Sequence, residues 1–108
     1  MRKANVYRNG ELVGILTQFT TTSYEFRYDD NWYASSDLPP VSLTMPKNKQ
    51  VYNSIYLFPF FFNMLSEGSN RQLQARHLKI DEKDYFGLLL ATAKTDTIGA
   101  ITISEVKE

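Results

Sequence analysis

The chain has 108 residues, with 12 Lys+Arg balanced by 12 Asp+Glu, a single His and no Cys. That length supports one domain, residues 1–108, which buries roughly two thirds of its unfolded surface, and 43% hydrophobic with 14% aromatic content supplies a core without metal or disulfide. Zero net charge argues against a nucleic-acid binder, which needs a surplus of Lys and Arg to neutralise phosphate, although a local basic patch is compatible with it. With no Cys there is no thiolate metal site, disulfide framework or thiol nucleophile.

The basic start Met1-Arg2-Lys3-Ala4-Asn5 is not followed by an apolar run of the kind a secretory signal carries. The most apolar stretch, Ile55 to Leu65, is about half of the ~20 residues a bilayer span requires, and Pro59 and Asn63 interrupt it. The expectation is a soluble cytoplasmic protein that makes no membrane contact.

In chain order, Ala4-Asn5-Val6-Tyr7-Arg8 alternates with period two and meets Asn9-Gly10, a pair that accepts the positive φ of a tight hairpin turn. The return strand is Leu12-Val13-Gly14-Ile15-Leu16, extending toward Phe19. A third strand, Ser23 to Tyr28, sets Tyr24, Phe26 and Tyr28 on one face and Glu25 and Arg27 on the other, the pattern of a sheet buried on one side. Residues 4–28 therefore read as a meander. Asp30 or Asn31 caps a short helical turn carrying Trp32, Tyr33 and Ala34. After Leu38-Pro39-Pro40, Val41-Ser42-Leu43-Thr44-Met45 reads as a short strand closed by Pro46, and Lys47 to Gln50 as a polar loop.

Phe58 to Leu65 reads as a helix with Pro59 in its first turn, where the missing N–H costs least, and Ser66-Glu67-Gly68 ends it. Ser69 or Asn70 caps a second helix through Arg71, Leu73, Ala75, Arg76 and Leu78. Asp81 or Asp84 caps a third, in which Tyr85, Leu88, Leu89 and Thr92 share a side. Ile98 to Ile103 is a closing strand. Strands, then helices, then a strand predict an α+β domain: a small antiparallel sheet, meander plus closing strand, packed with two or three short helices.

Catalytic chemistry finds little support. His77 lies near a helix end, where an imidazole caps carbonyls or is solvated. Asp29-Asp30 is a turn pair, and Asp81, Glu82 and Asp84 cluster at a helix start, where the dipole favours them. No spacing matches a zinc or calcium site, a Gly-x-Ser-x-Gly nucleophile or a Gly-rich phosphate loop, so neither metal, cofactor nor catalytic residue is expected. The unusual feature is the aromatic run. Phe58, Phe60, Phe61, Phe62, Met64 and Leu65 cover nearly the whole circumference of a short helix. Either the helix is sandwiched between the sheet and the Leu73/Leu78 helix, or one side is a docking patch. Trp32 with Tyr33 poses the same choice between capping the open end of the sheet and anchoring a partner.

Five short blocks in order carry a family resemblance. They are Val6-Tyr7-Arg8-Asn9-Gly10-Glu11-Leu12-Val13-Gly14; Tyr24-Glu25-Phe26-Arg27-Tyr28 followed by Trp32; Pro40-Val41-Ser42-Leu43-Thr44-Met45-Pro46; Phe60 to Gly68 with Arg71; and Tyr85-Phe86-Gly87-Leu88-Leu89 leading to Ile98-Gly99-Ala100-Ile101. Together they resemble the small N-terminal subdomain of HipA-type Ser/Thr kinase toxins. In that family the subdomain precedes the kinase core, which holds the ATP site, the catalytic Asp and the phosphorylated loop. This sequence ends at Glu108, where such a core would begin, and matches none of those parts.

The resemblance therefore implies a non-enzymatic, HipS-like protein of a split HipB–HipS–HipT toxin–antitoxin system. Such a protein docks on a separately encoded HipA-like kinase core and restrains it. A HipB-like helix-turn-helix protein joins the same complex, so DNA is touched only indirectly. Two alternatives are a structural or dimerisation subunit without inhibitory action, and an N-terminal fragment of a full-length toxin. The residues the resemblance points to for kinase contact are Phe62, Leu65, Ser66, Glu67, Gly68, Ser69 and Arg71. The family segment commonly reads Phe-Phe-Asp-Asn-Leu-Leu-Pro-Glu-Gly; here Phe62 replaces the Asp and Ser66 the Pro. The extra apolar side chain favours a docking surface. Some stand-alone relatives carry a bulky aromatic after Glu-Gly, and Ser69 in that place speaks against inhibition by aromatic insertion.

Overall fold

The computed structural model describes residues 1–65, 67–93 and 101–106. Its centre is a five-stranded sheet in the order β4-β3-β2-β1-β5, with every neighbouring pair antiparallel. The strands are β1 (Arg2–Arg8), β2 (Glu11–Thr20), β3 (Ser23–Tyr28), β4 (Val51–Ser54) and β5 (Ile101–Glu105); the helices are α1 (Asp30–Ala34), α2 (Pro59–Phe62), α3 (Gly68–Leu78) and α4 (Tyr85–Thr92). This is the predicted α+β arrangement of a meander and a closing strand with short helices. Of the closing strand anticipated at 98–103, residues 98–100 lie outside the described set.

The hairpin forms where Asn9-Gly10 announces it, with φ of +50° and +84° at the two turn residues. Val13 is an extra residue on β2, since Val6 pairs with Gly14 and Tyr7 with Leu12. Its carbonyl accepts from Asp29 N at 2.8 Å and so ties the start of α1 to the sheet. One sheet face is buried along Val6, Leu16, Phe26, Tyr28 and Ile103, and Phe61 of α2 with Phe86, Leu88 and Leu89 of α4 complete the core. The last turn of α4 is fixed to β5 by Ile103 N donating to Ala93 O at 2.7 Å.

Four local readings are corrected. Val41–Met45 is not a strand: a strand would bury Val41, Leu43 and Met45 together, yet Leu43 is 93% exposed while the other two are buried. Turn bonds from Met45 N to Ser42 O and Thr44 N to Ser42 Oγ curl the segment, and the Tyr28 hydroxyl anchors both ends by accepting from Val41 N and donating to Met45 O. The fourth meander strand is instead β4, whose four residues are too few to show a clear alternation and which forms by pairing with β3. Asp29 rather than Asp30 or Asn31 caps α1, accepting from Asn31 N and Trp32 N. The aromatic helix is one turn, Pro59–Phe62, continuing to Leu65 as turns. α3 begins at Gly68, with Glu67 at the capping position instead of Ser69 or Asn70.

Candidate functional site

Three helices converge on one cluster. Phe62 ends α2, Tyr85 opens α4, and their rings meet edge to face at 5.1 Å and 82°. Arg71 of α3 lays its guanidinium over both rings, 5.5 Å from each centroid. An edge-to-face pair contributes about 0.5–1.5 kcal/mol beyond its area, and each cation–π contact about 0.5–1 kcal/mol where solvent reaches it. Arg71 Nε is closed off from solvent with no hydrogen-bond partner among the described residues. A polar N–H left in that state costs free energy unless a partner supplies an acceptor for the group.

The structure thus brings Phe62 and Arg71 together and separates the other expected contact residues into two environments. Leu65 is 6% exposed and belongs to the core. Glu67, Gly68 and Ser69 are exposed at the start of α3, and Ser66 lies outside the described residues. Gly68 has φ +53°, a left-handed conformation that favours glycine.

The aromatic run divides the same way. Phe58 and Phe61 are buried, whereas Phe60, Phe62 and Met64 are half-buried against the core. α2 is sandwiched, but between the sheet and α4 rather than the Leu73/Leu78 helix: Phe61 meets Phe26 at 5.7 Å, while Leu73 and Leu78 stand 60% and 40% exposed. Trp32 is buried, donating from Nε1 to Pro39 O at 2.8 Å, and Tyr33 stacks on Tyr28. Trp32 therefore belongs to the core, and Tyr33 packs against it.

Beside Phe62 and Tyr85 runs a groove of about 650 Å³, with Tyr24 and Leu57 along it and a polar end formed by Arg2, Gln18 and Asp84. Arg2 pairs with Asp84 at 2.6 Å, donates from Nε to Gln18 Oε1 at 2.9 Å and lies 5.1 Å over the Phe86 ring. Gln18 in turn donates to the Tyr24 hydroxyl at 3.0 Å. Asp84 also caps α4 by accepting from Gly87 N at 3.1 Å. The hydrogen bond from Arg2 holds the Asp84 carboxyl below its ordinary value, against the opposing effect of partial burial. A carboxyl depressed on folding contributes stability that is fully present above its unfolded value of about 3.8 and is lost as pH falls from there through the lower folded-state value. Asp84→Asn keeps a capping side chain but loses the charge. Its stability should therefore lie below the wild type at pH 7, with the gap in melting temperature closing toward pH 3. A gap independent of pH would remove the ion pair as its cause.

His77 sits exposed in the last turn of α3, and among the described residues no three His, Asp or Glu side chains gather as metal ligands. The sequence reading misses Tyr85 as the partner of Phe62 and Arg71, and misses the Arg2–Asp84 link. Neither has a signal in spacing, because residues 23 and 82 positions apart meet only through the packing of α4 against α2 and β1. No helix among the described residues is long and apolar enough to cross a membrane.

A five-stranded antiparallel sheet with short helices and an aromatic–arginine cluster defines a small α+β domain. The profile of the HipA N-terminal domain family matches residues 4–104, and this chain belongs to that family. It is the N-terminal HipA subdomain, not the catalytic kinase part. A solved N-terminal domain of HipA toxin superposes with a TM-score of 0.74 at 27% identity, covering 100% of this chain and 95% of that one. An uncharacterized protein of Haemophilus influenzae is 31% identical over 108 residues, spanning 100% of this chain and 96% of its own length. A candidate kinase of Sinorhizobium fredii, Y4mE, is 30% identical over 89 residues, which are 82% of this chain but only 21% of that protein.

Proposed function

We propose that this protein is a non-catalytic subunit of a split toxin–antitoxin system in the cytoplasm, docking on a separately encoded HipA-like kinase core and restraining it. The supporting observation is the pair of lengths among its relatives: the chain spans 96% of the Haemophilus protein and 21% of the Sinorhizobium one. A unit that makes up nearly all of one protein and a fifth of another carries a surface suited to a kinase body whether or not a peptide bond joins the two. Separation forfeits the high effective concentration that a short linker provides, so the interface itself must supply the affinity. A half-exposed aromatic at Phe62, braced by Tyr85 and Arg71, is the kind of group that supplies it. DNA enters only through a helix-turn-helix partner. The Sinorhizobium relative favours a second reading, an N-terminal piece of a longer toxin, in which the same surface packs within one chain.

The test is affinity capture from the cells that encode the chain, followed by growth rescue. A HipA-like kinase core recovered at near-stoichiometric yield, and growth restored to cells expressing that core, are the expected results. Recovery of this chain alone would overturn the reading, and binding without rescue would leave a scaffold in place of an inhibitor. Phe62→Asp should weaken docking by more than about 1 kcal/mol. The fold should survive, because the new carboxylate lies beside the Arg71 guanidinium. Unchanged affinity in titration calorimetry would remove Phe62 from the contact.

A further inference from the structure

Arg2, Gln18, Tyr24 and Ser54 cross the sheet from β1 to β4 at one level, through the pairs Arg2–Gln18, Gln18–Tyr24 and Tyr24–Ser54. Beyond that row lies the end of the sheet that holds the β2–β3 turn. It carries Phe19, Ile55 and Tyr56, which are 43%, 61% and 73% exposed. Phe19 stands at a register shift between Gln18 and Thr20, an irregularity of the kind that re-aims a side chain. Both segments that meet here lack charge. Residues 12–24 and 50–65 contain no Asp, Glu, Lys or Arg, in a chain that is 22% charged. The turns at the other end of the sheet, Asn9-Gly10-Glu11, Asp29-Asp30 and Lys47 to Gln50, are polar. A surface turn gains nothing from large apolar side chains, whereas apolar groups in charge-depleted surroundings are the composition of an interface core.

The path of the chain points to the occupant. β5 ends beside the start of β1: Glu105 pairs with Ala4, and Val106 N donates to Lys3 O at 2.9 Å. The family's domain is N-terminal, and the match takes up only 21% of the Sinorhizobium protein. In a protein built that way the larger remainder leaves from the same end of the sheet as Phe19, Ile55 and Tyr56. We infer that this end seats the HipA-like kinase core, with those three side chains pressed against an uncharged, apolar surface of it. The inference rests on the docking reading above and extends the contact beyond Phe62. The two regions are continuous, since Thr21, Tyr24 and Tyr56 line the same groove as Phe62 and Tyr85. Charge in that groove comes from Arg2, Asp81, Lys83 and Asp84, all outside the two uncharged segments.

Such a contact should exclude charge of either sign. Against the purified HipA-like kinase core, Tyr56→Glu, Tyr56→Lys and Phe19→Glu should each raise Kd by at least about tenfold. Glu11→Lys, in the hairpin at the opposite end, should bind as the wild type does. All of these side chains are exposed, so every variant should keep the wild-type melting temperature. A second measurement does not depend on that. The chain has no Cys, so Tyr56→Cys and Glu11→Cys each accept a single photoreactive label, and the core should cross-link to position 56 and not to position 11. Loss with Glu but not with Lys at position 56, or the reverse, would overturn the uncharged surface. Wild-type affinity in Tyr56→Glu and Phe19→Glu, with Phe62→Asp still impaired, would overturn this contact and leave the docking reading standing, as would cross-linking from position 11 alone. No binding by the wild type would sink both. If Tyr56→Glu instead abolishes self-association in sedimentation and leaves affinity for the core unchanged, the occupant is a second copy and the inference is wrong.

Discussion

Phe61→Ala should lower the free energy of unfolding by about 3–5 kcal/mol, the range for deleting a fully buried aromatic ring. Phe61 has no exposed surface and touches three other rings: Phe26 at 5.7 Å, Phe58 at 6.4 Å and Phe60 at 5.2 Å. It is the fully buried side chain of α2 and meets Phe26 of the sheet. The cavity left behind is bounded by strands on one side and α4 on the other, and neither can close onto it without breaking the ladder or the Ala93–Ile103 link. In a domain of this size the loss should drop the melting temperature by more than about 12 °C, measured by circular dichroism. A shift of a few degrees would mean that α2 is held from elsewhere. The neighbouring Phe62→Asp gives the converse result, a stable fold with impaired docking, since Phe62 is only half-buried and faces Arg71. Adjacent phenylalanines would then separate stability from binding.

Gly14→Ala is the second large effect, expected at about 3 kcal/mol or more, and it works through the backbone. A Cβ at Gly14 would stand 2.4 Å from the Arg27 carbonyl oxygen and 2.8 Å from Phe26 Cζ. The phenyl ring could turn away, but the carbonyl belongs to β3, which is paired to β2 on one side and β4 on the other. Relief requires separating β2 from β3 at the point where Gly14 faces Tyr28, next to the Val13 bulge. Gly10→Ala makes a useful contrast: no atom lies within 4 Å of its Cβ position, so its cost is only that of φ +84°. Chemical denaturation should therefore rank Gly14→Ala well above Gly10→Ala, and the reverse order would refute the steric account.

Much of the sheet was legible because its signals are local. Asn9-Gly10 specifies a turn by its own backbone preferences, and the Tyr24-Phe26-Tyr28 alternation declares a buried face without reference to any other segment. Asp84 was readable as one of two candidate caps, with Asp81, for the same reason. The misread segments lack that independence. Val41 to Met45 has strand composition, yet the Tyr28 hydroxyl, 13 and 17 residues away, dictates its curl. β4 has two strand-prone residues, Val51 and Tyr52, but is too short to declare itself without the edge of β3 to pair with. At the candidate site, Phe62 and Arg71 were nameable from the family resemblance, whereas Tyr85 and the exposure of Leu73 and Leu78 were not. Leucine spacing on a helix reads as core wherever it occurs.

The sequence by itself determined an α+β fold with an N-terminal meander and a resemblance to the HipA N-terminal subdomain. Period-two alternation, turn chemistry and motif order are properties of neighbouring residues and survive in a one-dimensional string. Only the tertiary structure decided which aromatic residues are core and which form the cluster around Arg71, and which helix shows its leucines to solvent. Those outcomes depend on how the area of one sheet face is shared among α2, α3 and α4. That face is filled by Phe61 and the α4 leucines, leaving α3 to bury a single alanine.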